Sequence, residues 1–177
     1  MGFGQFFSEI YHFFYPRESD NFVKKVKRYY SKGDIKIIFD VGSRDALQSI
    51  ELINKFPLAN VFSFECNQSN IKICQENTHD YSNITVIPKA VNDSNGKISF
   101  YQVSAENSGH VPIPKSYKNG REHIFYSGMS SIFENDKLEK EEVDATRLDS
   151  FCDELSITSI DLLWIDLEGV ELKALRI

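Results

Sequence analysis

From Ile35 to Pro88 the chain alternates three short apolar runs with two stretches of helical periodicity, and this alternation restricts its fold more than any other feature. The run Ile35-Lys-Ile-Ile-Phe-Asp-Val41 reads as a buried strand ended by Gly42. A helix is expected from Arg44 to Phe56, capped by Ser43, with Asp45 in its first turn and Ala46, Leu47, Ile50, Ile53 and Phe56 on one face. Asn60 to Glu65 reads as a second strand, Gln68 to Thr78 as a second helix and Asn83 to Pro88 as a third strand. Strand-helix-strand crossovers are nearly always right-handed, so these strands are expected to be parallel, in the spatial order 3-2-1. A last buried strand, Ile160 to Ile165, is closed by Asp166, and Gly169 to Ile177 opens a helix.

Between these segments, Asn95-Gly96 is a turn into a strand from Lys97 to Val103. Residues 104–142 are polar and carry Gly109, Pro112, Pro114, Gly120 and Gly128, the texture of a lid or a disordered loop. Glu142 to Arg147 reads as a short strand and Leu148 to Leu155 as a short helix. Ahead of the alternation, the first 30 residues hold 10 of the 23 aromatics. Phe3, Phe6, Phe7, Ile10 and Phe14 fall at helical spacing, Pro16 interrupts, and a basic helix is expected from Asn21 to Tyr30. Two units follow: an aromatic helical segment, 1–30, which caps the core or meets a partner or a membrane surface, and a ligand-binding domain, 31–177.

Composition narrows the function. Twenty Lys and Arg against 26 Asp and Glu give a net charge of −6, which disfavours nucleic acid as a partner. Three scattered cysteines make neither a disulfide framework nor a zinc site, and no run is long and apolar enough for a transmembrane segment. The start, MGFGQFF, lacks the form of a signal peptide, so a cytoplasmic protein is the expectation.

In an open parallel sheet, ligands sit beyond the carboxyl ends of the strands, where the strand order reverses. Here Asp40, Gly42 and Ser43 are expected to meet Asp166 at that crevice. Glu65 closes the second strand, 23 residues after Gly42, where a carboxylate can accept hydrogen bonds from both hydroxyls of an adenosine ribose. The turn Gly42-Ser-Arg-Asp-Ala-Leu has one glycine and an acid, and so lacks the glycine-rich cradle that a pyrophosphate needs. That disfavours a nucleotide-dependent oxidoreductase. S-adenosylmethionine (SAM) carries an adenosine and a sulfonium but no phosphate, and suits an acidic turn better. The plain alternative is that Gly42 only makes the turn and that Asp40 and Glu65 are solvated strand ends.

These residues resemble the FkbM family of SAM-dependent methyltransferases. The resemblance rests on Asp40-Val-Gly-Ser-Arg-Asp-Ala46, on Phe64-Glu-Cys-Asn67 with Asn70 and Asn77, and on Pro88-Lys-Ala90. It continues through Ser130-Ser131, Val143-Asp-Ala-Thr-Arg-Leu-Asp149 and Asp161-Leu-Leu-Trp-Ile-Asp-Leu-Glu-Gly-Val-Glu171. It implies an α/β fold with a Rossmann-like class I methyltransferase sheet, mostly parallel, and methyl transfer to a hydroxyl of a small-molecule or glycan acceptor. Carried onto this chain, Asp40, Gly42 and Ser43, with Arg44 beside them, would hold the methionine end of SAM, and Glu65 the ribose. Cys66 and the backbone around Lys89 and Ala90 would flank the adenine.

Asp166 would face the reacting methyl, and Asp166 and Glu168 are the expected bases. His110 and His123 are weaker candidates in the long loop. For Glu168 and Glu171 a helix-terminal role competes, and with Asp166 they group too loosely to expect a metal. Three departures stand out. Ala46 replaces a glycine and would narrow the space for the methionine part; Trp164 replaces a lysine; and the sequence stops after the fourth core strand, where such sheets continue with about three more. The last departure leads to the expectation of a truncated sheet, and with Ala46 and the aromatic N-terminus it keeps open a catalytically inactive module with a binding or structural role.

Overall fold

The computed structural model describes residues 18–31, 33–103, 130, 132 and 138–176. In chain order its elements are α1 (Glu18–Val26), β1 (Ile37–Val41), α2 (Leu47–Lys55), β2 (Asn60–Phe64), α3 (Gln68–Thr78) and β3 (Ile84–Ile87). They continue with β4 (Ala90–Val91), β5 (Gly96–Gln102), β6 (Glu139–Thr146), α4 (Leu148–Leu155), β7 (Leu162–Ile165) and α5 (Glu171–Ala174). The central sheet is parallel in the order β3-β2-β1-β7, as the alternating pattern requires. Its register pairs Val41 with Phe64 on one side and with Ile165 on the other, so the strands end level. Gly42, Glu65 and Asp166 thereby leave the sheet along one line.

Both faces of this sheet are buried, which is why its strands are apolar runs rather than alternating ones. On one face Ile38, Val61, Ile84 and Leu162 pack with Leu52, Ile53 and Phe56 of the α2 segment and with Val23 of α1. On the other, Phe39, Phe62 and Phe64 gather around Phe151 of α4, with ring centroids 4.9–5.7 Å apart. Burying such a ring contributes about 2–3 kcal/mol, so this cluster seats α4 firmly on the strands. Trp164, the aromatic in place of a lysine, lies edge-on to Phe22 of α1 at 5.4 Å. The substitution thus joins the amino-terminal helix to the sheet.

The start of the sheet is fastened by Asp161. Its Oδ2 accepts from the backbone N–H groups of Lys36 (2.8 Å) and Ile37 (2.9 Å), bridging β7 to β1 across 124 residues. A second sheet, β4-β6-β5, stands beside the first, with β4 parallel to β6 and β5 antiparallel to it. Gly96 to Gln102 pairs residue by residue with Ala145 back to Glu139.

Several boundaries differ from the sequence expectation. The basic helix runs Glu18–Val26 rather than Asn21 to Tyr30. Its core-facing stripe of Phe22, Val23 and Val26 ends there, and Tyr29 and Tyr30 stand exposed in the turn and coil that follow. The strand expected at Glu142 begins at Glu139, because β5 supplies partners that far back. The helix after Asp166 spans only Glu171–Ala174. The aromatic segment before Glu18, His110, His123 and Ser131 lie outside the described residues.

Candidate active site

The turn after β1 sets the geometry. Gly42 has φ +84, and a Cβ there would lie 1.9 Å from the carbonyl oxygen of Asp166. Only glycine allows the end of β1 to run this close to the end of β7. The N–H groups of Gly42 and Ser43 both donate to the carbonyl of Phe64, at 3.1 and 3.0 Å, which ties the turn to β2 as well. Arg44 (φ 54) and Ala46 (φ 57) then take left-handed conformations without being glycines.

This winding corrects the expectation that Ser43 caps a helix from Arg44. The helix starts at Leu47, and Ser43 points inward. Its hydroxyl donates to Asp40 Oδ2 (3.1 Å) and accepts from Ser63 Oγ (2.6 Å), while Ser49 Oγ donates to the same Asp40 oxygen at 2.5 Å. Asp45 precedes the helix rather than standing in its first turn, and its Oδ1 accepts from the N–H of Leu47. Ala46 is fully buried beneath the turn and does not line the crevice, so it does not narrow the ligand space as expected. Its left-handed backbone is one that a glycine would take without strain.

Burial pushes the carboxyl of Asp40 up to about 6, against the pull of the Ser49 and Ser43 hydrogen bonds. A carboxyl whose folded value lies above its unfolded value favours folding most when protonated. Its contribution is therefore full below about pH 4 and is lost as pH rises through about 6. Asp40→Asn keeps an acceptor for Ser49 and removes the charge. In urea titrations the stability of the variant relative to the parent is expected to rise by roughly 2 kcal/mol between pH 4.5 and 7.5. A difference that stays flat across this range would show that Asp40 is not held as a strained acid.

Eight of the ten residues expected in the site line one crevice at the carboxyl ends of the strands: Gly42, Arg44, Glu65, Cys66, Lys89, Ala90, Asp166 and Glu168. Asp40 and Ser43 do not line it; they form the buried footing of the turn. The small sheet closes the far wall with Ala90, Val91 and Phe100, joined there by Ser130 and Ile132. Ser130 also accepts from the N–H of Val103 at 2.9 Å, which holds the end of β5 in place.

Glu65 is the most heavily supported group in the crevice. Oε1 accepts from the N–H groups of Cys66 and Asn67, both at 2.7 Å, and Oε2 accepts from the N–H of Arg44 at 2.8 Å and Asn70 Nδ2 at 3.5 Å. Burial raises its pKa, and those donors hold the rise back. Burial, with Glu65 and Glu141 nearby, raises the Cys66 thiol well above its ordinary value, so it meets a ligand as a neutral, apolar group.

Helix α3 braces the same turn. Asn67 caps it by accepting from Ser69 and Asn70, Asn77 Nδ2 donates to the carbonyl of Asp45 (2.8 Å), and Cys74 Sγ reaches the carbonyl of Arg44. Sequence reasoning assigned Asn70 and Asn77 no task. Their polar character at one helical face, aimed toward a turn, was the signal.

On the opposite lip, Asp166 and Glu168 stand exposed, and Asp166 N–H donates to the carbonyl of Val41 at 2.9 Å. Partial burial, then Asp166 and Glu171, raises the pKa of Glu168. Glu171 has a local task instead: its Oε1 accepts from the N–H groups of Leu167 (2.9 Å) and Gly169 (3.2 Å), and its own N–H, followed by these two, lowers its pKa. Among the described residues no cluster of three His, Cys, Asp or Glu is placed to hold a metal ion.

A parallel sheet with a glycine turn, a terminal acid on the neighbouring strand and a crevice at the switch point defines the Rossmann-like α/β class. Within that class the chain belongs to the methyltransferase FkbM domain family, whose model matches residues 40–176. It is 27% identical over 142 residues to the 2-O-methyltransferase NoeI of Sinorhizobium fredii, a match that covers 76% of this chain. The chain spans about half the length of that curated relative, 54% of it.

Proposed function

We propose that residues 31–177 form the cofactor-binding part of a SAM-dependent O-methyltransferase, with 1–30 as a helical appendage. The observation that carries this reading is the coincidence, in one crevice, of Glu65, the close-approach glycine Gly42 and an acidic far lip, without a glycine-rich pyrophosphate turn. When bound, SAM supplies an electrophilic methyl on a sulfonium.

In this reading the chain's own residues position and deprotonate. The Glu65 carboxylate accepts from the ribose at the Oε2 site that Asn70 holds only at 3.5 Å, and its three short bonds from the N–H groups of Arg44, Cys66 and Asn67 fix it in place beforehand. Cys66, Ala90 and Phe100 give the adenine an apolar slot. Asp166 and Glu168 stand on the lip where an acceptor hydroxyl enters, and either takes its proton as the methyl departs. The raised proton affinity of Glu168 is the direction a general base requires. The acceptor is a small hydroxylated molecule or a glycan, in keeping with the O-methyltransferase relative.

Calorimetry with SAM and S-adenosylhomocysteine tests the cofactor, and labelled-methyl transfer to a panel of sugars tests the reaction. Heat with both and label on a hydroxyl are expected. Binding without transfer would point to the non-catalytic module, and no heat with either would end the reading.

Among the described crevice-lining residues Arg44 and Lys89 are the cationic ones, and Arg44 is the one on the Gly42 turn. Its guanidinium is the proposed partner of the SAM carboxylate. Arg44→Ala keeps the backbone N–H that Glu65 uses, so it is expected to weaken SAM roughly tenfold, about one charge-assisted hydrogen bond, and leave adenosine unchanged. Equal losses for the two ligands would remove Arg44 from that role.

A further inference from the structure

Charge is divided unevenly along the chain. Residues 1–36 carry seven Lys or Arg against four Asp or Glu, whereas residues 37–177 carry thirteen against twenty-two. The basic part is also the aromatic part, since residues 1–30 hold ten of the twenty-three aromatics. In the fold, α1 uses Phe22, Val23 and Val26 to pack on the core, and Lys24, Lys25 and Arg28 are exposed. Lys27 lies over the ring of Phe56, with its Nζ 5.9 Å from the centroid. Directly after this helix Tyr29 and Tyr30 stand 82% and 53% exposed, and neither belongs to a core cluster of the described residues.

Solvation alone accounts for exposed lysines but not for two adjacent exposed tyrosines. We propose that the face formed by Lys24, Lys25, Arg28, Tyr29 and Tyr30 docks on an anionic lipid surface. Lysine and arginine meet the headgroup charge, and tyrosine rings settle at the boundary between headgroups and acyl chains, where an apolar ring and a polar hydroxyl are both satisfied. The acidic remainder of the chain is repelled by the same surface. Charge therefore fixes the orientation as well as the contact: the α1 face lies down and the acidic bulk of the domain points away. An acidic protein partner would use the same lysines and tyrosines, and the vesicle and polyglutamate arms of the test separate the two occupants.

The test is co-sedimentation of the full chain with vesicles of phosphatidylcholine alone or with 30% phosphatidylserine. Binding is expected only to the anionic vesicles, and it should weaken steeply between about 0.05 and 0.5 M salt as the charges are screened. The triple variant Lys24→Glu, Lys25→Glu, Arg28→Glu leaves Lys27 on Phe56 and changes exposed side chains alone, and circular dichroism checks its fold; its partitioning is expected to fall roughly tenfold or more. Tyr29→Ser with Tyr30→Ser should weaken binding and leave its salt dependence in place. Equal binding to neutral vesicles, or full binding by the triple variant, overturns the proposal. So does capture by a polyglutamate column without vesicle binding, which would assign the face to an acidic peptide. SAM calorimetry on the same variants is expected to be unchanged, so the two proposals stand or fall separately.

Discussion

Gly42→Ala is expected to lower stability by about 2–5 kcal/mol, the sum of a left-handed alanine and an overpacked contact. In a domain of this size that is a fall in melting temperature of roughly 5–15 °C. The new methyl would sit 1.9 Å from the Asp166 carbonyl oxygen, 3.0 Å from its carbon and 3.3 Å from Leu167 Cδ2. The first two atoms are backbone and have no side-chain rotation to escape by. The ends of β1 and β7 must part, which breaks the hydrogen bond from Asp166 N–H to the Val41 carbonyl and shifts the acidic lip. Thermal denaturation with calorimetry on the folded fraction reads both consequences. An alanine variant with an unchanged midpoint would mean that the two strand ends are not as close as described.

The second large effect is at Glu65. Glu65→Gln keeps the shape but turns an NH2 toward donors that both carboxylate oxygens now accept: the N–H groups of Arg44, Cys66 and Asn67 and the Asn70 amide. At least one of these bonds is lost and becomes a donor facing a donor. Stability is expected to drop by about 1–3 kcal/mol. With Glu65 as the proposed ribose acceptor, loss of its charge is expected to weaken SAM by about a hundredfold, or some 2.7 kcal/mol. Urea denaturation checks the first number and calorimetry the second. A folded variant that binds SAM as tightly as the parent would move the ribose away from Glu65.

How much of this was legible in the sequence depends on what each residue's neighbours hide. The strands β1, β2, β3 and β7 were readable because both sheet faces are buried, so their apolar runs are uninterrupted. Gly42 and Glu65 were readable because their residue types have few other reasons to stand at strand ends. The left-handed winding at Arg44 and Ala46 was not, since neither residue advertises a positive φ, and the expected helix therefore began three residues early. Strand β6 was readable only from Glu142 on: its first half, Glu139-Lys-Glu-Glu142, is a charged run whose pairing comes from β5, far back in sequence, and within β6 only Val143, Ala145 and Thr146 are buried. The tasks of Asp161 and Glu171 were hidden for a related reason. Each serves backbone N–H groups, and no side-chain pattern marks an unpaired amide.

The seam between β1 and β7 is fastened at both ends. Asp161 clasps the amides of Lys36 and Ile37 at its start, and at its finish Gly42 lies against the Asp166 carbonyl. A joint pinned twice has no freedom to gape. Any widening of the crevice to admit or release a ligand therefore falls to the opposite wall, where the small β4-β6-β5 sheet meets the central one without a shared strand.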